Sequence, residues 1–149
     1  MTPGARCRRP AELLDAYPTL AELCSLGKKD GLEGISLARQ LRDATAPRAR
    51  PAITTHNRGN HAVRTEAWRY IRYADGSEEL YDTRADPNEW ANLAAAPEFR
   101  DVKRELAHWI PAKNAAPMAG SRHRLLTFDG GVPVWEGKPI GAGDPFPEQ

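Results

Sequence analysis

The run Trp68-Arg69-Tyr70-Ile71-Arg72-Tyr73, then Ala74-Asp75-Gly76-Ser77, then Glu79-Leu80-Tyr81-Asp82, admits few folds. Aromatic and β-branched residues predict a strand. The Asp75-Gly76 pair predicts a tight hairpin turn, and the second run returns antiparallel. Alternation puts Trp68, Tyr70 and Arg72 on one face and Arg69, Ile71 and Tyr73 on the other. Neither face is purely apolar, so long side chains must lie partly across it. Upstream, Ala52-Ile53-Thr54-Thr55 and His61-Ala62-Val63-Arg64-Thr65 are two more β-prone runs. Asn57-Arg58-Gly59-Asn60 between them has turn composition. The expectation is a small antiparallel sheet of about four strands.

Helical patterns flank it. Residues 97–110 predict an amphipathic helix with the stripe Phe99, Val102, Leu106, Trp109 and Ile110, opened by Pro97 and closed by Pro111. It suits one face of the sheet, which makes the fold class α+β. Residues 11–26 carry a second stripe, Leu13, Leu14, Tyr17, Leu20, Leu23 and Cys24. Pro18 either kinks this helix or starts a second one, Gly27 supplies a stop, and Cys24 reads as a small core residue. Little nearby offers to bury the stripe. Ile35, Leu37 and Leu41 suggest a short turn of helix, and the Ala/Pro/Arg stretch 44–51 reads as a linker. After a small-residue linker at 113–121, residues 125–128 and 132–135 flank Asp129-Gly130-Gly131 as a hairpin, and residues 141–149 form a Gly/Pro-rich tail.

Length and charge bound the function. A chain of 149 residues with net charge +1 suits one domain and lacks the bulk charge of a nucleic-acid or membrane surface. The basic–aromatic interleaving of residues 68–73 is therefore better read as a sheet with snorkelling Arg than as a base-stacking platform. No apolar run approaches the ~18 residues of a membrane span. The start has no apolar stretch of the secretory kind. Two cysteines, Cys7 and Cys24, are no disulfide framework. Arg6, Arg8 and Arg9 would lower the Cys7 thiol pKa if that end were ordered.

The catalytic inventory is thin. No H-E-x-x-H, C-x-x-C, P-loop or G-x-S-x-G occurs, and His56, His61, His108 and His123 are scattered. No catalytic residue and no metal ligand is assigned. Glu78-Glu79 reads as a solvated strand edge. One stretch gathers donors: residues 56–64 hold two His, two Arg and two Asn. It is either a polar turn capping two strands or a rim that contacts an anion through bidentate Arg.

Four segments, in order, resemble the C-terminal end of type I sulfatases, on their iduronate-2-sulfatase-like bacterial branch. Residues 12–24 resemble a helix of the form D-x-x-P-T-L, here Asp15 to Leu20. Leu32-Glu33-Gly34-Ile35-Ser36-Leu37 is similar to a G-x-S-L turn. Residues 61–71 resemble V-R-T-x-x-W-R-Y. Residues 79–93 resemble E-L-Y-D…D-P-x-E…N-L. The resemblance implies three parts: residues 1–46 as the end of the α/β sulfatase domain, 47–115 as the C-terminal subdomain, and 116–149 as a tail with a hairpin. The first helix is then left over from the larger domain, and its partner sheet lies elsewhere.

The resemblance also implies sulfate-ester hydrolysis by a formylglycine made within C/S-x-P-S-R, with a calcium ion beside it. Neither Cys7-Arg8-Arg9-Pro10-Ala11 nor Cys24-Ser25-Leu26-Gly27-Lys28 fits that motif. Without nucleophile and metal there is no route to hydrolysis, so no cofactor is expected in this chain. Met1 is expected to be an internal start within a longer frame. The expected partners are the N-terminal sulfatase domain and a sulfated sugar, not nucleic acid or membrane. An exported parent is implied, whereas the chain's own location stays open. By resemblance Arg64, and with it His56, Arg58, Asn60 and His61, are candidates for a substrate rim; Arg64 serves equally as a structural ion-pair partner. The main expectation is a sulfatase part without activity of its own. The alternatives are a stand-alone module binding anions or carbohydrate, and an intact enzyme of a new type.

Overall fold

The structure, a computed structural model, describes residues 4–27, 29–116, 126–135 and 137–144. Residues 125, 145–149 and His123 of the expected hairpin, tail and histidine set lie outside it. The chain divides into two compact units, residues 1–114 and 115–149.

In the first unit four strands form an antiparallel meander in chain order: β1 (Ala52–Thr55), β2 (His61–Arg64), β3 (Trp68–Arg72) and β4 (Glu78–Asp82). The register sets Val63 opposite Tyr70 and Tyr70 opposite Leu80. These three are fully buried and share one face with Leu106 of α3 (Arg100–Ala107), so the fold is α+β. Trp68, Phe99, Val102 and Ile110 close the core, with the Trp68 and Phe99 rings 5.5 Å apart. The last strand's outer edge is not bare. Asn92 Oδ1 accepts the Leu80 amide at 3.0 Å, its Nδ2 donates to the Glu78 carbonyl, and the Leu93 amide donates to the Leu80 carbonyl at 2.8 Å.

The last helix is shorter than its pattern. Pro97–Phe99 is a 3-10 turn, α3 covers only Arg100–Ala107, and Trp109 and Ile110 bond back three residues as a tightened end. Pro111 explains this, because the residue before a proline is pushed out of the helical region. Trp109 consequently leaves the stripe and is exposed. Glu78 and Glu79 are not a solvated edge. Glu78 accepts the Tyr70 hydroxyl and Lys103 Nζ (2.8 Å), while Glu79 accepts the hydroxyls of Tyr73 and Tyr81.

The first helical run also differs from expectation. Leu13–Asp15 is a 3-10 turn and α1 is Ala16–Leu23, with Pro18 inside its first turn, where no amide partner is needed. The helix stops before Gly27. Ser25 takes the left-handed conformation (φ 54°) and the Leu26 amide reaches back to the Ala21 carbonyl. Cys24 is exposed rather than core. The apolar stripe faces outward, with Leu13 95%, Leu14 54% and Leu20 61% exposed, and Leu26 beyond it is exposed as well.

What α1 buries is polar. Asp15 Oδ1 accepts the Ile35 amide and Thr19 Oγ1 accepts the Leu37 amide, at 2.9 and 2.8 Å. Gly34 lies so near that a Cβ would sit 2.0 Å from the Leu14 carbonyl oxygen. Ser36 Oγ accepts the Ala38 amide and starts the short α2 (Ala38–Arg42), later than Ile35 suggested. The stretch 44–51 is no slack linker. Ala46 is buried, and the Arg48 side chain, 2% exposed, pairs with Asp15 and Glu12. Its Ala/Pro composition hid that anchor.

In the second unit β5 (Leu126–Asp129), β6 (Val132–Trp135) and β7 (Lys138–Pro139) form a three-stranded antiparallel sheet. Gly130 and Gly131, both at positive φ, make the two-residue turn between the first two strands.

Candidate functional site

The expected rim residues divide between the two ends of β2. At one end is the β1–β2 turn. Asn57 (φ 59°) and Gly59 (φ 85°) reverse the chain, and the His56 amide donates to the Asn60 carbonyl. The side chain of Asn60 ties the two turns together, its Oδ1 accepting the Ala74 amide at 3.1 Å. His61 points inward and is 3% exposed. Its Nδ1 lies 2.9 Å from Thr55 Oγ1 and its Nε2 lies 2.7 Å from Asn114 Oδ1, which also accepts the Gly59 amide. With Asn114 Oδ1 as the acceptor, Nε2 of His61 is the donor on that side, while the Thr55 hydroxyl can serve Nδ1 either way. His61 thus holds the turn against residue 114 and does not reach a solute. His56 and Arg58 are exposed on this turn.

The other end carries the charge. β2 alternates, so with Val63 in the core Arg64 stands on the opposite, open face of the sheet. Its cross-strand partner is Arg69. Two like charges directly opposed are unfavourable unless an anion joins them. Glu89 does so, accepting from Arg64 Nη1 at 3.0 Å through one oxygen and from Arg69 Nη1 at 2.8 Å through the other. Glu89 itself sits at φ 59°, unusual for a residue with a Cβ. Asp86 holds that conformation, accepting the Glu89 amide on its carbonyl and the Ala91 amide on its carboxylate. The arginine side chains are 43% and 42% exposed and the Glu89 side chain 21%. One carboxylate between two guanidinium groups leaves the cluster cationic. Next to it in the register, Tyr81 stands opposite Arg69. Its hydroxyl and that of Tyr73 both donate to Glu79, and burial, then these bonds to a carboxylate, raise both phenol pKa values.

Sequence reasoning singled out Arg64 but not Arg69 or Glu89, which the structure brings against it. The available signal was the spacing in Arg64-Thr65-Glu66-Ala67-Trp68-Arg69, which a short hairpin places face to face. Glu89 is the last residue of the D-P-x-E element quoted above, but nothing in that element says that it faces two arginines. Among the described residues no three His, Cys, Asp or Glu side chains converge as a cation would require. Among the described residues no helix is long and apolar enough to cross a membrane.

Comparison with known proteins places this geometry. No family model matches the chain. A sulfatase of Formosa agariphila is 39% identical over 125 residues, covering 84% of this chain and 25% of that protein. A delta 4,5-hexuronate-2-O-sulfatase of Bacteroides thetaiotaomicron is 33% identical over 101 residues, covering 62% and 21%. The solved structure of a 2-O GAG sulfatase superposes with a TM-score of 0.55 at 29% identity, over 63% of this chain and 22% of that one. The chain thus spans about a quarter of the length of the curated relatives it matches. With 39% identity over 84% of its length to a sulfatase, the chain belongs to the sulfatase family, as the counterpart of its C-terminal part.

Proposed function

We propose that this chain is the C-terminal region of a sulfatase of the uronate 2-sulfatase kind, that the whole enzyme hydrolyses sulfate esters of a sulfated polysaccharide, and that the chain alone does not. The observation that carries this reading is the apolar row Leu13, Leu14, Leu20 and Leu26. It lies exposed along α1 and the turns at its two ends, in a chain that spans a quarter of its relatives' length. Such a row on a folded protein marks a surface that another body covers. In this reading that body is the remaining three quarters of the enzyme, which also supplies the nucleophile and the cation. The cation's chemistry is to polarise the sulfate, and the nucleophile's is to take it from the sugar oxygen. This chain's own part is to cover the larger domain with α1 and to present Arg64 at the edge of the substrate cleft, with His56 and Arg58 on the neighbouring turn.

The test is a chimera in which this chain replaces the matching quarter of the Formosa agariphila sulfatase. Arylsulfate turnover by the chimera, with none from the 149-residue chain alone, is expected. Turnover by the purified chain alone would overturn the reading. Arg64→Ala in the chimera should lower kcat/KM on a sulfated oligosaccharide; an unchanged value removes Arg64 from the cleft.

A second reading, a stand-alone module for anions or carbohydrate, is favoured by one observation. The Arg64–Glu89–Arg69 cluster keeps an excess positive charge at the surface. Saccharide binding by a monomeric, cooperatively folded chain distinguishes it from the first.

A further inference from the structure

We propose that Glu89 is an internal stand-in for a ligand's anion, and that an acidic saccharide binds the open face of the sheet by displacing it from between Arg64 and Arg69. The inference rests on reading Arg64 as a rim residue, and it specifies what the rim binds.

Four observations support it. The carboxylate of Glu89 bridges two arginines with one oxygen to each, at 3.0 and 2.8 Å. That is the arrangement a carboxylate or sulfate of a bound sugar would make. The pair is half open to water, unlike the Arg48 pair, so a competing oxyanion can reach it. Exposed ion pairs of this kind are weak and readily exchanged. The Glu89 backbone is held at positive φ by Asp86, so its side chain can leave the arginines while the turn stays in place. Its neighbour in the chain, Trp90, is 85% exposed, a large indole with no structural use among the described residues. An exposed indole one residue along the chain from the bridging carboxylate suits a sugar ring that carries an anion: the ring's C–H face stacks and the anion bridges. The ligand class is a saccharide with a sulfate ester or a uronate carboxylate.

The 149-residue chain is titrated calorimetrically with a heparin-derived tetrasaccharide. Removing the internal competitor in Glu89→Gln should tighten binding about fivefold, the scale of two exposed ion pairs. Glu89→Gly should do the same, and glycine suits the left-handed backbone, so this variant decides the matter if the first fails to fold. Adding Arg64→Ala to Glu89→Gln should abolish the gain. Arg104→Ala, in a pair far more exposed than this one, should leave it unchanged. Desulfated and carboxyl-reduced tetrasaccharides then show which anion is read, since one of them should lose the gain. If neither Glu89 variant binds tighter, or if the gain survives Arg64→Ala or both chemical modifications, the proposal is overturned. Arylsulfate turnover by the chimera is read separately, so a failed titration leaves the sulfatase reading standing.

Discussion

Arg48 closes on Asp15 at 2.5 Å, with the two side chains 2% and 0% exposed. Burial alone would raise the Asp15 pKa. The amides of Glu12 and Ile35 and the Arg48 guanidinium outweigh it and hold the carboxyl below its ordinary value of 3.8. A depressed carboxyl contributes stability that is fully present above its unfolded pKa and is lost as pH falls through the folded one. The midpoint of thermal unfolding should therefore drop below about pH 4, and Asp15→Asn should flatten that drop. Removing one partner of a buried pair costs more than removing both. Arg48→Met should destabilise by about 3–5 kcal/mol in denaturant titration, and Arg48→Met with Asp15→Asn should recover part of it.

Tyr70 makes the opposite prediction at the alkaline end. Burial, then its hydrogen bond to Glu78, pushes the phenol up to about 12, with Arg72 pulling the other way. A raised pKa contributes stability present below the ordinary value of 10.0 and lost as pH rises through the folded value. Phenolate absorbance should show one tyrosine titrating only as the core opens, near pH 12. In Tyr70→Phe that late step should vanish while folding persists.

Gly34→Ala isolates the contact between α1 and the turn that follows it. The new Cβ meets the Leu14 carbonyl and the Asp15 amide, both backbone atoms that cannot swing aside. The expected loss is about 1–3 kcal/mol, with amides at Ile35 and Leu37 exchanging first. Exchange there unchanged from the parent would show that the contact carries no weight.

The exposed leucines predict behaviour in solution. The isolated chain should self-associate in sedimentation, and Leu13→Glu with Leu20→Lys should return it to monomer without lowering its unfolding midpoint. A parent chain that stays monomeric at high concentration, with α1 amides fully protected, would contradict this.

The sheet was legible because its information is local. Alternation across residues 68–73 and Asp75-Gly76 set the hairpin, and Phe99, Val102 and Leu106 marked the helix that covers Tyr70 and Leu80. The helix ends were not legible, since Ser25 and Pro111 act through backbone geometry rather than periodicity. The charge pairs were the least legible. Arg48 meets Asp15 across 33 residues and Glu89 meets Arg69 across 20, and no pattern in either neighbourhood announces a distant partner. Only half of the arginine site could be read, because Arg64 stood in a donor-rich stretch while the carboxylate that completes it stands beyond the next hairpin.

Asn92 has a consequence for how this sheet meets others. With its amide engaged along β4, that side offers no free ladder for another strand. Recruitment is left to β1, four residues long. Growth of this sheet past β4 would first have to break the Asn92 bonds, so that edge is closed by a side chain and not by another strand.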